Sequence, residues 1–416
     1  MTQATTYLAT SLKDSLPTSN ELTVGNKPLS QIEKLVSTTP FYAYDRQLII
    51  NRVKQLIQTL PTEISVHYAI KANPYPSLVH LMAEQVSGFD VASKKEMLLA
   101  LQTGMSAKHI SFAGPGKTIE DIEAAIIAGI TLHVESVGEI SRVESAAMLL
   151  KIKANIAIRV NPVFELKSSG MKMSGGAKPF GIDEEQVPQI LRTLNLEQIN
   201  LRGFHIFSGS QNLNADAIIS AQQQTFALAE KLVELSKQTM KRKIDYLNIG
   251  GGFGIPYFSH EKALDITRIT DNLQALIKQY KTMVNGIALI LELGRYLVAE
   301  AGIYVCKVVD KKTSRGSTYL VCDGGLHHHL ANSGNFGQVI RKNFPVAIGN
   351  KLHEKEQEQV TIVGPLCTPL DILAEKIMLS KASYGDYVVI FQSGAYGASA
   401  SPKDFLSQPQ LSEILL

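Results

Sequence analysis

From Pro40 onward, short apolar runs alternate with longer segments whose apolar residues recur every third or fourth position. The short runs are ISVHYAIKA from Ile64, GFDVAS from Gly88, ISFAGP from Ile110 and TLHVES from Thr131, then NIAIRVNP from Asn155, LRGFHIF from Leu201, YLNIGGGF from Tyr246 and ALILELGRYLV from Ala288. Several are near-continuous in apolar character, as strands buried on both faces of a parallel sheet must be. The intervening segments, such as KKEMLLALQTGM, TIEDIEAAIIAGI and AIISAQQQTFALAEKLVELSKQ, carry helical spacing, as does DRQLIINRVKQLIQTL ahead of the first strand. This succession predicts an α/β fold, a closed (β/α)8 TIM barrel. The competing arrangement, an open doubly wound sheet, places its signature glycines after the first strand. Here they follow the seventh.

After about residue 302 the pattern changes to short strands without long helices between them: IYVCKVVDKK, STYLVCDGG, QVTIVGPLC and YVVIFQSGAY. That texture predicts a C-terminal β-domain, to which ELTVGNKPL near the N-terminus adds a strand. The expected division is a flexible N-terminus over 1–21, a strand contribution to the β-domain over 22–45, the barrel over 46–302 and the β-domain over 303–416.

Composition narrows the function classes. Lys plus Arg number 41 and Asp plus Glu 38, a net charge of +3 that is too even for a nucleic-acid-binding surface. The basic run Lys241-Arg242-Lys243 reads as a solvated helix end. Three cysteines, Cys306, Cys322 and Cys367, form no disulfide framework and no CxxC pair. No apolar run reaches the roughly 18 residues of a membrane helix, and the first residues lack a secretory signal. The expectation is a cytoplasmic protein without membrane insertion.

Barrel chemistry gathers at the C-terminal ends of the strands. Those ends supply Lys71; Asp90 and Ser93; Arg159 and Asn161; His205 and Ser208; Gly250, Gly251 and Gly252; and Glu292, Gly294 and Arg295. A lysine at a dry barrel mouth has its ammonium destabilised, which favours the neutral amine that imine formation needs. The three glycines let backbone approach an anion closely, and Gly294-Arg295 adds a second approach and a positive charge. The run His327-His328-His329 is read as a strand segment, where neighbouring side chains point to opposite faces, so no metal site is expected.

Taken together, YAIKAN, GFDVAS, GFHIFSGS, LNIGGGFG, LELGRYLV, GPLCTPLD and SGAYG resemble the ornithine/diaminopimelate/arginine decarboxylase family, from Phe41 to near the C-terminus. The resemblance implies a barrel plus β-domain that uses pyridoxal 5'-phosphate and forms homodimers with active sites at the interface. It implies that Lys71 holds the cofactor as a Schiff base, that His205 lies on the ring face and that Glu292 pairs with the ring nitrogen. Ser208, Gly250, Gly251, Gly252, Gly294, Arg295 and Tyr396 would hold the phosphate, with Asp90 and Arg159 close by. Cys367, as proton donor, with Thr368 and Asp371 on the same segment and His328, would lie on the substrate side. An acid at the ring nitrogen deepens the electron sink that decarboxylation requires, whereas racemases of similar fold place a cation there.

Finer texture points to the substrate. Relatives acting on ornithine or diaminopimelate carry an acidic residue after the interface cysteine; this chain has Thr368-Pro369. Diaminopimelate enzymes also carry Arg-Pro after the DGG-type turn; this chain has histidines, then ANSGNFGQ. SFAGPGKT, FELKSSGMKMSGG and GPLCTPLDILAEK look similar to the exosortase-associated and glutamyl-carrier-protein decarboxylase subgroup. That resemblance implies an L-amino acid or glutamyl-type aminoacyl substrate, tethered to an acyl carrier protein that Arg341 and Lys342 could receive. Diaminopimelate decarboxylation, an amino-acid racemase and a non-catalytic cofactor-binding protein are the alternatives.

Overall fold

The computed structural model describes residues 19–166, 171–240, 243–258, 260–336 and 341–416. Most of the expected flexible N-terminus, through residue 18, and the pair Lys241-Arg242 lie outside the described residues. The chain forms two compact units: Arg52–Ile255 with Ala263–Leu297, and Met1–Asn51 with Pro256–Lys262 and Val298–Leu416.

The first unit is a closed barrel of eight parallel strands: β1 (Ile64–Ala69), β2 (Gly88–Val91), β3 (Ile110–Phe112), β4 (Thr131–Val134), β5 (Ala154–Asn161), β6 (Ile199–His205), β7 (Tyr246–Gly251) and β8 (Ala288–Leu293). Each pairs with the next, and β8 pairs with β1 to close the ring. β1 therefore lies between β8 and β2, which sets Glu292 opposite His67 and Asp90 opposite Ala69. Register alone brings an acid from each side to the end of the strand that Lys71 follows.

Side chains stop the strands and start the helices. Ser93 and Ser136 accept hydrogen bonds from the amides of Glu96 and Glu139, capping the helices Lys94–Gln102 and Val137–Leu150. Thr118 and Asp121 form a reciprocal capping box at the helix Ile119–Ala128. Each cap satisfies an amide that the first helical turn leaves unpaired. Among the described residues no helix is long and apolar enough to cross a membrane.

The second unit is built on an eight-stranded sheet. Its long strand Gly302–Ser314 pairs with Phe41–Tyr44, Tyr387–Ile390 and Ser317–Cys322, and the C-terminal strand Ser412–Leu415 lies parallel to Phe41–Tyr44. ELTVGNKPL does not join that sheet. Gly25 and Asn26 both take positive φ, and the two-residue turn folds Thr23–Val24 back onto Lys27–Pro28. The strand contributed from the N-terminal region is Phe41–Tyr44 instead. Leu29 and Ile32 of the helix Leu29–Val36 bury against Phe41, Val305 and Val389. Segment Pro256–Lys262, expected within the barrel, belongs to this unit.

His327, His328 and His329 lie in and beside a turn, not on a strand, and all are fully buried. His329 Nε2 is 2.9 Å from the Ser393 hydroxyl, while neither ring nitrogen of His327 has a hydrogen-bond partner among the described residues. Burial pushes their pKa values down, to about 4 for His327 and His328 and about 3 for His329. They are therefore folded as neutral rings.

Two outcomes follow for stability. Ser136→Ala removes one cap and lowers unfolding free energy by about 1 kcal/mol, measured as a shift in denaturant midpoint. A histidine buried neutral takes up its proton first in the unfolded chain, so the stability it supports is complete above the unfolded pKa near 6.5 and falls as pH drops toward the folded value. The second unit loses stability as pH is lowered from about 6.5 toward 4, and His327→Phe, which keeps the bulk and sacrifices no hydrogen bond, shows a shallower loss in pH-dependent unfolding.

Candidate active site

Lys71 sits in the single 3-10 turn Ile70–Ala72 that leaves β1. Its Nζ lies 3.6 Å from Glu292 Oε1 and 3.9 Å from Asp90 Oδ2. The lysine side chain is 37 % exposed, whereas both carboxylates are buried. Two buried acids beside one cation cannot both ionise at little cost, and the environment separates them. Burial raises the Glu292 carboxyl, but the Lys71 ammonium and His205 outweigh it and hold that acid well below the ordinary range. Burial and the charge of Glu292 together push Asp90 well above its ordinary range. Glu292 is the standing anion of the site and Asp90 its reserve acid.

Polar side chains brace both acids. Asn248 Nδ2 donates to Glu292 Oε2 at 3.2 Å, and the Ser111 hydroxyl donates to Asp90 Oδ1 at 3.0 Å. His205 Nε2 lies 3.4 Å from Glu292 Oε2, yet neither His205 ring nitrogen meets hydrogen-bond geometry with any described residue. Burial lowers the His205 pKa against the opposing pull of Glu292. Next around the rim, Arg159 Nη1 donates to both oxygens of Glu135 at 3.1 Å, and Lys117 pairs with Glu139 at 2.7 Å. Glu135 also accepts the amides of Gly114 and Gly181. Burial raises this carboxyl, but Arg159 and Lys117 leave it lowered overall.

Gly250 and Gly252 take φ of 71° and 80°, conformations that L side chains rarely adopt. A Cβ at Gly251 would come within 2.1 Å of the Glu292 carbonyl, and one at Gly294 within 2.8 Å of Ala72 Cβ. One expectation changes: the Gly250 amide already donates to Asn248 Oδ1 at 2.8 Å, so it is committed within the barrel rather than to an anion. Ser208 and Arg295 are half-buried.

In the second unit, Cys367 is exposed, while Cys306 and Cys322 are buried as small apolar side chains. Thr368 accepts the Leu370 amide, and Tyr396 stands half-buried at a φ of 54°. Three expectations need correction. Asp371 is not a free carboxylate: it is buried, with Oδ1 accepting the Leu326 amide at 2.6 Å and Oδ2 the Leu366 amide at 2.9 Å. It ties the cysteine loop to the DGG segment. His328 donates from Nε2 to the Pro409 carbonyl at 3.0 Å and is fully buried, so it is a core histidine. Arg341 is half-buried, with Nη2 donating to the Ile372 carbonyl, which removes it as a surface contact; Lys342 remains exposed. A cleft of about 520 Å³ beside the loop is lined by Thr318, Tyr319, Gln359, Thr361, Thr368 and Pro369, among others.

Residues 46–299 match the family model described as pyridoxal-dependent decarboxylase, pyridoxal binding domain. The chain belongs to the fold-type III pyridoxal-dependent decarboxylases. It is 38 % identical over 383 residues, 91 % of this chain and 88 % of the relative, to the L-glutamyl-[BtrI acyl-carrier protein] decarboxylase of Niallia circulans. It is 30 % identical, over 91 % of this chain and 86 % of the relative, to the diaminopimelate decarboxylase of Aquifex aeolicus. Among solved structures, the diaminopimelate decarboxylase of Methanocaldococcus jannaschii with L-lysine superposes with a TM-score of 0.85 at 28 % identity, covering 96 % of this chain and 92 % of that one.

The residues of this decarboxylase fit pyridoxal phosphate. A half-exposed lysine stands next to an ionised buried acid, a buried imidazole has neither nitrogen in hydrogen-bond geometry with a described residue, and a glycine stretch admits no side chain. Lys71 would hold the aldehyde, Glu292 the ring nitrogen, and Gly251, Gly252 and Arg295 the phosphate. Sequence reasoning missed His133, Ser111, Tyr246 and Asn248 within the site. Each was visible as a polar residue in an otherwise apolar strand, a departure that a buried strand tolerates only where the group is bonded.

Lys71→Ala abolishes the violet-edge absorbance of the protein saturated with pyridoxal phosphate; an unchanged spectrum removes Lys71 from this role. Glu292→Gln retains the cofactor but lowers kcat by at least about tenfold, roughly 1.4 kcal/mol of barrier, in a CO2-release assay.

Proposed function

We propose that this decarboxylase acts on a glutamyl-type aminoacyl group carried as a thioester on an acyl carrier protein, and that it works as a homodimer. The observation that carries the reading is the neutrality of the segments expected to meet the substrate's far end. Cys367 is followed by Thr368-Pro369, Asp371 spends both oxygens on backbone amides, and the DGG turn continues into histidines held neutral and then Ala331-Asn332. A distal ammonium or carboxylate desolvated against these particular residues would find no opposite charge among them, a cost of several kcal/mol. A thioester has no such charge to satisfy. The cleft beside Thr368 and Pro369 is lined by hydroxyls and the Gln359 amide together with the exposed Glu375 and Lys376, a polar lining that suits a polar arm.

When bound, pyridoxal phosphate supplies an electron sink for the pair left as the Cα–CO2 bond breaks. The chain's own contributions are electrostatic and positional. Glu292, held ionised in its buried setting, would stabilise positive charge on the pyridine nitrogen of a bound cofactor, which favours loss of CO2 over the racemase alternative. Arg159, locked to Glu135, keeps the rim fixed. Exposed Cys367 delivers a proton to Cα in the site of a second copy.

Incubation with glutamyl-loaded carrier protein should remove the mass of one CO2 from the carrier in intact-protein mass spectrometry. Untouched carrier, with free meso-diaminopimelate consumed instead, would make lysine formation the activity.

A further inference from the structure

One buried imidazole at the centre of the barrel is used by none of the steps above. His133 on β4 is fully buried, with Nε2 2.8 Å from the Tyr246 hydroxyl of β7 and Nδ1 3.9 Å from Asp90 Oδ1 of β2. Its ring centroid is 4.3 Å from that of His205 on β6, the planes inclined by 36°. His133 thus touches the residue beside Lys71 on one side and the residue beside Glu292 on the other. Tyr246 is itself held in place, with the Arg202 guanidinium 5.2 Å from its ring centroid.

The orientation of His205 needs an explanation that its own hydrogen bonds do not give. Neither of its ring nitrogens is bonded to a described residue, and its other near neighbours are Glu292 at 3.4 Å and Phe207, 6.3 Å between centroids. Among the described residues, packing against His133 is the closest ring contact it makes. We infer that His133 is a positioning residue that fixes the plane of the His205 ring and, through it, how tightly the pyridoxal ring is seated. Burial, reinforced by the neighbouring His205, holds His133 well below its ordinary pKa, so the two imidazoles pack without like charges opposing. The inference rests on the pyridoxal-phosphate assignment and goes beyond it, since nothing in that assignment requires a second histidine.

The test compares His133→Leu, His133→Phe and Tyr246→Phe with the unaltered protein. The readouts are apoprotein melting temperature, the dissociation constant for pyridoxal phosphate and the position of its bound absorbance band. His133→Leu should weaken cofactor binding by about tenfold and shift the band, as loss of a ring–ring contact implies. His133→Phe, which restores a flat ring, should recover most of the affinity. Tyr246→Phe, which removes only the anchoring hydroxyl, should weaken binding by about threefold. A folded His133→Leu with unaltered affinity and band, or Leu and Phe variants equally impaired, overturns the proposal. Should His133→Leu fail to fold, Tyr246→Phe decides: unaltered affinity and band sink the idea. Failure of the unaltered protein to take up pyridoxal phosphate overturns the cofactor assignment itself, a separate result.

Discussion

A lysine ammonium held between two buried carboxylates is the constraint on which the rest of the barrel depends. Neither acid would tolerate its position alone, because an unpaired charge out of water costs several kcal/mol. Lys71 compensates one of them fully, and the structure chooses Glu292 by giving it Asn248 and His205 as well. Asp90 has a serine hydroxyl, a more distant lysine and the neutral His133 imidazole at 3.9 Å, and its proton is correspondingly hard to remove. Two acids with opposite protonation tendencies flanking one lysine are a familiar way to run proton-dependent chemistry near neutral pH.

Only a closed barrel gives this arrangement cheaply. β1 has β8 on one side and β2 on the other, so the two acids reach the same strand end by register, without a loop having to bring them there. The charges farther round the rim are handled in pairs. Arg159 answers Glu135 and Lys117 answers Glu139, and the glycine amides that Glu135 accepts tie the loops after β3 and β5 to it. A rim tied this way holds its polar groups at fixed distances, which is what a site needs if it is to discriminate among bound states.

Much of this was legible in the chain. Strand ends read from apolar runs fall within a few residues of those observed, because parallel strands buried on both faces leave an unmistakable pattern. Local backbone chemistry was less legible. ELTVGNKPL has the composition of a strand, but Gly25 and Asn26 turn it into a hairpin too short to join the sheet. The three histidines read as a strand and fold as a turn. Asp371 has the same sequence signature whether its oxygens face a substrate or two backbone amides, and only the approach of Gly325 and Gly364 decides between them. His133 stood out as a polar residue in a buried strand, but its role was not legible, because only strands far apart in sequence bring Tyr246, Asp90 and His205 around it.

The committed Asp371 also bears on how such an enzyme selects its substrate. A hydrogen-bonding or ionic site rejects a substrate lacking the matching group far more strongly than an apolar or neutral site rejects one carrying an extra charge, since the former leaves its own buried groups unpaired. Evolution of a neutral far end therefore begins by removing or occupying the charges that would otherwise demand a partner. In this chain the position after Cys367 holds a threonine followed by a proline, the nearby Asp371 spends its oxygens on two backbone amides, and the histidines are buried in their neutral form. Under the proposed carrier-bound substrate, discrimination against doubly charged amino acids would rest on the absence of a matching charge in these segments, and would be weaker than the discrimination an ionic site provides.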